Sequence, residues 1–354
     1  MNGPELAYRP IDPRNYKPAI GLIGCGMITE YHLKAYKSAG YNVVALCDCN
    51  EAKAIERQKT FYPDATVCTD HQQLLRREDV EVVDIATHPA ERVGLIEDAL
   101  HAGKHVLSQK PFVLDLDVGE RLCDLADKVD RKLAVNQNGR WAPHWSYLRQ
   151  LVLGGHLGDV MAAHLAVHWD HNWTAGTPFD NVRHLILYDF AIHWFDILTQ
   201  LLPRATPTRV FATTKRAPGQ KSKPDLMAQA MIEFDTAQAS LVFDGSTPFG
   251  PCDTTFLAGA KGTAHSEGPD LNQQSVTLTT SEGVAMPELS GMWFREGFHG
   301  TMSELLCAIE ENRTPNNNAR DNLKSLALCF AALASADSGG QPQPVGRTRR
   351  VPAA

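Results

Sequence analysis

The stretch Ala19-Ile20-Gly21-Leu22-Ile23-Gly24-Cys25-Gly26-Met27-Ile28-Thr29 constrains this chain most. An apolar run ends in a Gly-x-Gly turn, and a helical pattern with Tyr31, Leu33, Ala35 and Tyr36 follows. The order is strand, glycine turn, helix start. Glycines permit a tight turn and let a pyrophosphate approach the backbone. The bare N–H groups of a helix N-terminus bind phosphate. A purely structural turn has the same sequence form, so the rest of the chain must decide between the two. Thr29 stands where a third glycine would allow close helix–strand packing. Threonine there implies either wider packing or a polar contact.

From Ala19 onward, short apolar runs alternate with helical stretches. The runs are Ile20–Ile23, Val43–Cys47, Val82–Ala86, His105–Ser108 and Leu133–Asn136, with helical segments near 30–39, 51–61, 71–77, 90–102 and 115–130. Near-continuous apolar strands separated by helices predict a doubly wound parallel sheet, covered on both faces. Ligands bind such a sheet at the carboxyl ends of its strands. Asp48 ends the second run, at the right distance after the glycines to hydrogen-bond a ribose 2′-hydroxyl. A carboxylate there repels a 2′-phosphate, which favours NAD over NADP. The bland alternative is a solvated strand-end aspartate. Two further strand ends, Thr87-His88-Pro89 and Ser108-Gln109-Lys110-Pro111, fall in the same crevice. Pro111 restricts Lys110 to extended conformations and so gives it a defined direction.

With 354 residues the chain is long enough for two domains with sizeable cores. A formal net charge of -7 argues against broad nucleic-acid binding, which needs a basic face. No apolar run reaches the length of a membrane span. The N-terminus lacks the apolar core of a signal peptide. The eight cysteines show no paired CxxC spacing, which fits a reducing, cytoplasmic setting. Residues 1–18, with Pro4, Pro10, Pro13 and Pro18, read as an extended leader.

The rhythm changes after Asn136-Gln137-Asn138-Gly139-Arg140-Trp141. A helix is expected at 143–154. In 160–170, Met161, Ala163, Leu165, Val167 and Trp169 face one way, and Ala162, His164, Ala166, His168 and Asp170 the other. Further strands are expected near 207–214, 226–234, 238–244, 253–258 and 275–280, the second and third as a hairpin. A mostly antiparallel sheet open on one face suits pairing with another subunit. His164 and His168 lie roughly 13 Å apart along a strand at about 3.3 Å per residue. One ion cannot bridge that distance, so no metal is expected. The strand end His171-Asn172-Trp173 is a better sugar contact.

Leu185–Leu202 reads as an apolar helix carrying Asp189, His193 and Asp196 on one face. An aspartate beside a histidine in such a helix is either a satisfied structural pair or an acid–base unit. Helices near 299–312 and 319–336 follow, then an extended tail over 339–354, basic through Arg347, Arg349 and Arg350. The domains expected are therefore 19–140, for the nucleotide, and 141–338, for substrate and oligomerisation.

Taken together, the chain resembles the Gfo/Idh/MocA family of NAD(P)-dependent oxidoreductases from Ala19 to about Ser338. The resemblance rests on Gly21-Leu22-Ile23-Gly24-Cys25-Gly26, Asp48, Ala99 to Leu107, Lys110-Pro111, Asp189 with His193, and Arg320-Asp321-Asn322. It implies an N-terminal Rossmann domain and a C-terminal α/β domain with a large open, mostly antiparallel sheet, assembling as a homodimer or homotetramer. It also implies hydride transfer between a sugar or polyol hydroxyl and the nicotinamide. On that pattern His193 takes the hydroxyl proton, Lys110 orients the hydroxyl and stabilises the developing oxygen charge, and Asp189 orients His193 or contacts a neighbouring hydroxyl. The chain departs from the family in four places. Gln109 replaces the glutamate of Glu-Lys-Pro, His88 interrupts a Thr-Pro, Arg92 stands for a histidine, and Leu185–Tyr188 replace glycines.

The residues assigned to NAD are Gly24, Gly26, Met27, Ile28, Asp48, Thr87, His88, Gln109, Lys110 and Asn138. Those assigned to the substrate are Lys110, Arg140, Trp141, His171, Asn172, Trp173, Asp189 and His193, of which Lys110, Asp189 and His193 are catalytic. Two rivals to a dehydrogenase remain. One is a transient oxidation without net redox, as in an epimerase, lyase or glycoside-cleaving enzyme. The other is a ligand-sensing protein on the same scaffold, against which the full Lys110–Asp189–His193 set argues.

Overall fold

The apolar run before the glycine turn forms β1 (Ala19–Ile23), buried because helices cover both faces of its sheet. A computed structural model describes residues 2–352. The chain divides into two units. One comprises Arg9–Trp141 and Phe294–Leu323. The other comprises, of the described residues, 2–8, Ala142–Trp293 and 324–352.

In the first unit, β1 is followed by α1 (Thr29–Ala39), β2 (Asn42–Cys47), α2 (Glu51–Phe61), β3 (Thr66–Cys68) and α3 (His71–Leu75). Then come β4 (Val80–Ile85), α4 (Pro89–His101), β5 (His105–Gln109), α5 (Leu116–Lys128) and β6 (Leu133–Asn136). The sheet order is β3-β2-β1-β4-β5-β6, and every pair is parallel. This is the doubly wound order, with its topological switch point between β1 and β4. The three-residue β3 was not among the runs read from sequence, being too short to show a period.

Ile20, Leu22, Leu33, Tyr36, Val82 and Leu107 form the core of this unit, and Phe298, Met302, Leu305 and Leu306 join them. The last four belong to α8 (Trp293–Glu310), whose apolar face completes this core. Residues 294–323, expected in the second domain, therefore fold with the first. Helical periodicity shows that a face is apolar but not which sheet covers it. Among its described residues the leader has no helix or strand but is held in place: Glu310 accepts the N–H groups of Arg14, Asn15 and Tyr16 at 2.8, 2.7 and 2.9 Å.

The second unit holds α6 (Pro143–Leu153), β7 (Val160–His168), α7 (Ile192–Leu201), β8 (Pro207–Lys215), β9 (Met227–Phe234) and β10 (Gln238–Asp244). It continues with β11 (Cys252–Gly259), β12 (Gly262–Asp270), β13 (Gln273–Thr280), β14 (Gly283–Ala285) and β15 (Gln343–Pro344), and includes most of α9 (Ala319–Asp337). The nine strands run β14-β13-β12-β11-β7-β10-β9-β8-β15. Only β7 and β10 pair in parallel. The β9–β10 hairpin is as expected. β12 was not foreseen, because its Gly- and Pro-bearing sequence carries little apolar signal; its register shifts at Gly268-Pro269. The tail contributes β15, bonded to β8 at the sheet edge, so part of it is not a loose extension.

The two faces of β7 separate as the alternation predicted. Ala163, Leu165 and Val167 are buried, whereas His164 and His168 bond Ser240 at 2.7 Å and Asp244 at 2.8 Å on the opposite face. Met161 departs from the pattern: it lies at the strand's beginning and is exposed. On the open face Met231 and Phe256 are also exposed.

The Leu185–Leu202 stretch is not one α-helix. A π-helical segment, Ile186–Phe190, precedes α7, and the Ala191 N–H bonds the Ile186 carbonyl at 2.7 Å. An i→i+5 turn changes the angular spacing of side chains, so Asp189, His193 and Asp196 do not line one regular face.

Candidate active site

The glycine turn sits at the switch point. The Gly24 N–H bonds the Cys47 carbonyl at 2.8 Å, which ties the turn to β2. Gly24 has φ +91°, and a Cβ there would come within 3.0 Å of the Ala86 backbone at the end of β4. Only glycine fits both demands. A Cβ on Gly26 would meet nothing within 4 Å, so the turn opens outward there. Met27 is exposed beside it. Asp48 Oδ2 accepts the Cys25 N–H at 2.7 Å, and its Oδ1 accepts the Asn50 N–H at 2.8 Å.

Thr29 is buried and donates its hydroxyl to the Gly26 carbonyl at 2.6 Å. That is the polar contact its place in the motif allowed. It closes the turn internally and leaves the helix without a side-chain cap. Among α1–α5, the side chains of Asn50, Asp70 and Asp115 cap α2, α3 and α5, whereas α1 and α4 have no such cap. The two uncapped helices are those that follow β1 and β4. In α1 the N–H groups of Thr29, Glu30 and Tyr31 bond the Gly26, Met27 and Ile28 carbonyls at 3.2, 3.3 and 3.0 Å, so an anion would meet the turn ahead of them and the positive end of the helix dipole, with no side-chain cap in the way. Thr87 Oγ1 is buried with no protein partner, and Thr87 Cγ2 lies 3.1 Å from where a Gly24 Cβ would be. These features fit a dinucleotide: an open turn, uncapped helix ends, an orphaned hydroxyl and a strand-end carboxylate.

Around Lys110 the structure gathers Thr87 and Gln109 through a residue whose part the sequence did not reveal. Arg92, buried in the first turn of α4, donates from Nη1 to the carbonyls of Gln109 and Pro111 and from Nη2 to that of Thr87. A cation near a helix N-terminus is unfavourable with respect to the helix dipole, and the carbonyls compensate. Gln109 is buried, and its Oε1 accepts the Lys110 N–H at 2.7 Å; Lys110 itself is half-buried. His88 is exposed.

At the carboxyl end of β6, Gln137 is buried and neither atom of its amide has a partner. Sequence reasoning passed over it in favour of Asn138, which is also buried. The polar triplet at the strand end was the available clue. Arg140 is fully buried; it donates to the Asn316 carbonyl at 2.5 Å and to Asp321 at 3.3 Å. Trp141 is buried where Gly300 leaves room for its ring. Both residues, expected at the substrate, have packing tasks within this unit.

In the second unit His193 is buried, with its ring edge-on to Trp293 at 5.4 Å. Asp189 is half-buried on the π segment. Asp196 is buried deeper and accepts the Ser325 hydroxyl at 2.8 Å, which marks it as structural. Nearby, His171 packs on Trp169 at 5.9 Å and on Phe190 at 4.6 Å. Burial lowers the His171 pKa to about 4, partly opposed by Asp170, so the ring is neutral near pH 7. Trp173 is exposed and edge-on to Phe179 and Phe190. Asn172 is occupied by the protein: its Nδ2 donates to Asp170 and Ser246, and its Oδ1 accepts the Lys221 N–H. Among the described residues, no group of three His, Cys, Asp or Glu is arranged to hold a metal ion.

Comparison with known proteins matches this architecture. The chain is 26% identical over 336 residues to D-apiose dehydrogenase of Paraburkholderia graminis, covering 90% of this chain and 87% of that one. It is 26% identical over 327 residues to inositol 2-dehydrogenase of Rhizobium meliloti, covering 89% and 96%. The structure of an oxidoreductase from Agrobacterium radiobacter, in complex with NAD+, L-tartaric acid and magnesium, superposes with a TM-score of 0.83 at 22% identity, over 93% of this chain and 99% of that one. At that identity the likeness is one of fold. Residues 19–137 match the NAD-binding Rossmann-fold domain of the Gfo/Idh/MocA oxidoreductases and residues 145–265 their C-terminal domain, so the chain belongs to that family.

Proposed function

We propose that the protein is a dehydrogenase that moves a hydride between a sugar or polyol hydroxyl and NAD. The observation that carries this reading is the position of Lys110. It follows β5 in the array that Arg92 joins to Thr87 at the end of β4, on the side of the sheet where the glycine turn opens. Apiose and inositol, in the names of two relatives, are both polyhydroxy compounds.

NAD, when bound, supplies the acceptor for the hydride. The chain's own residues do the rest. His193 takes the hydroxyl proton on a ring nitrogen. The Lys110 ammonium donates hydrogen bonds to the reacting oxygen and stabilises its developing charge. Asp189 orients the His193 ring or holds a neighbouring hydroxyl. In the reducing direction His193 returns the proton. Near-neutral His171 and exposed Trp173 offer a sugar both a polar contact and an aromatic face.

The open face of the nine-stranded sheet, with Met231 and Phe256 exposed, supports a homodimer or homotetramer. All eight cysteines are free, which suits a cytoplasmic setting. Among the described residues no helix is long and apolar enough to cross a membrane.

The test is incubation with NAD+ and a panel of sugars and polyols that includes D-apiose and myo-inositol. NADH absorbance is followed in parallel with mass spectrometry of the mixture. NADH formation on one of them is expected. Product without NADH would replace the reading by a cycle without net redox. Neither, across the panel, would overturn it.

A further inference from the structure

A buried polar network lies beneath the Lys110 peptide. Asp84, near the carboxyl end of β4, and His32 and Tyr36, on α1, are all fully buried. Asp84 Oδ2 lies 2.7 Å from His32 Nδ1 and accepts the Tyr36 hydroxyl at 2.7 Å. On the other edge of the imidazole, His32 Nε2 lies 3.4 Å from the amide nitrogen of Gln109 and 3.4 Å from that of Asn136. Phe298 covers the ring at 4.5 Å. The network runs from a carboxylate, through an imidazole, to the residue whose Oε1 accepts the Lys110 N–H at 2.7 Å.

The donor and acceptor roles follow from its two ends. The Lys110 N–H can only donate, so the Gln109 oxygen must face it. The Gln109 NH2 therefore faces His32 Nε2. Nε2 must then accept, which puts the ring's single proton on Nδ1, toward Asp84. A second proton, on Nε2, would meet two amide donors, Gln109 and Asn136. Asp84 and Tyr36 are the titratable groups that contact the ring among the described residues, and both lie on its Nδ1 side or edge.

We infer that His32 and Gln109 are positioning residues for Lys110. His32, locked by Asp84 as the neutral Nδ1–H tautomer, fixes the Gln109 amide, and Gln109 in turn fixes the Lys110 peptide. Gln109 thereby sets the protonation state of the buried imidazole: a carboxylate in its place would accept from Nε2 and draw a second proton onto the ring. The inference rests on the proposed role of Lys110 for its catalytic meaning, but not for its geometry.

The test uses the full-length protein without substrate. With 15N-labelled histidine, and His32 assigned through a His32→Gln variant, wild type is expected to show the neutral Nδ1–H ring for His32 at pH 7.5. Gln109→Glu is expected to move both His32 nitrogens toward imidazolium positions at the same pH. With 15N-labelled lysine, Gln109→Leu should speed exchange of the Lys110 amide at least tenfold, and Gln109→Glu should restore its protection. A wild-type His32 that carries a proton on Nε2 would overturn the inference. So would an unchanged Lys110 amide in Gln109→Leu. If His32→Gln does not fold, the Gln109 variants carry the test, with His32 assigned as the resonance that Gln109→Glu shifts. Lys110→Met separately tests the dehydrogenase reading: NADH formation that survives it defeats that reading and leaves the tautomer result untouched.

Discussion

The Asp48 carboxylate and the Cys25 peptide N–H lie 2.7 Å apart, so the residue that ends β2 is bonded directly to the glycine turn that ends β1. One carboxylate oxygen braces the turn, and the other meets Asn50. In the proposed NAD site this carboxylate accepts the ribose 2′-hydroxyl, and its charge opposes a 2′-phosphate. Asp48→Ala should weaken NAD binding roughly tenfold or more, in line with about 1.5–3 kcal/mol for a hydrogen bond to a charged group. It should also narrow the preference for NAD over NADP. Fluorescence titration with both nucleotides checks this; an unchanged ratio would separate Asp48 from the ribose.

His193 is buried against Trp293 and assigned the proton transfer. His193→Ala should lower NADH formation by about 10²–10⁴-fold, the usual contribution of a general base. The affinity for NAD+ should stay as it was. Turnover at the wild-type rate would remove His193 from the mechanism.

Arg92 donates to the carbonyls of Thr87, Gln109 and Pro111 and is 1% exposed. Arg92→Met preserves much of the side-chain volume but strands those carbonyls. At about 1–3 kcal/mol for each buried unsatisfied group, the loss should reach roughly 3–5 kcal/mol. Urea denaturation measures it, and a loss below about 1 kcal/mol would show that the carbonyls find other donors.

Asp253 on β11 is fully buried, and the Gln274 amide donates to its Oδ1 at 3.2 Å while Oδ2 has no partner. Burial, aided by the Asp270 charge, holds its carboxyl well above the usual range near 3.8. A carboxyl raised in the folded state contributes its full stability below the unfolded value of 3.8. That contribution is lost as pH rises above it. Asp253→Asn removes the titration, so it should stabilise the protein at pH 8 by about 1–3 kcal/mol and change little near pH 3.5. Thermal melts at the two pH values decide; an equal effect at both would mean that the carboxyl does not titrate as described.

Much of the first unit was legible because its determinants are local. β1, β2, β4, β5 and β6 are continuous apolar runs, and the glycines, Asp48 and Lys110 stand at strand ends where chain order alone places them. The alternation in β7 likewise foretold which face is buried. The reading failed where a segment is too short, as in β3, or too polar, as in β12. It also failed where backbone hydrogen bonding departs from the α pattern, as in Ile186–Phe190. The π turn leaves no mark in the spacing of apolar residues.

By itself the sequence determined the doubly wound architecture, the family and its NAD-binding domain, since all three depend on periodicity and on residue types a few positions apart. Only the tertiary structure decided that Thr29 closes the turn, that Arg92 binds the carbonyls of Thr87, Gln109, Pro111 and Phe112, that α8 completes the first core, and that Asp84 reaches Gln109 through His32. Apart from the Thr29 and Arg92–Thr87 contacts, which span three and five residues, these join groups far apart in the chain, such as the 52 that separate His32 from Asp84. A buried polar group must find a partner, but which one it finds depends on where the folded backbone brings donors and acceptors together.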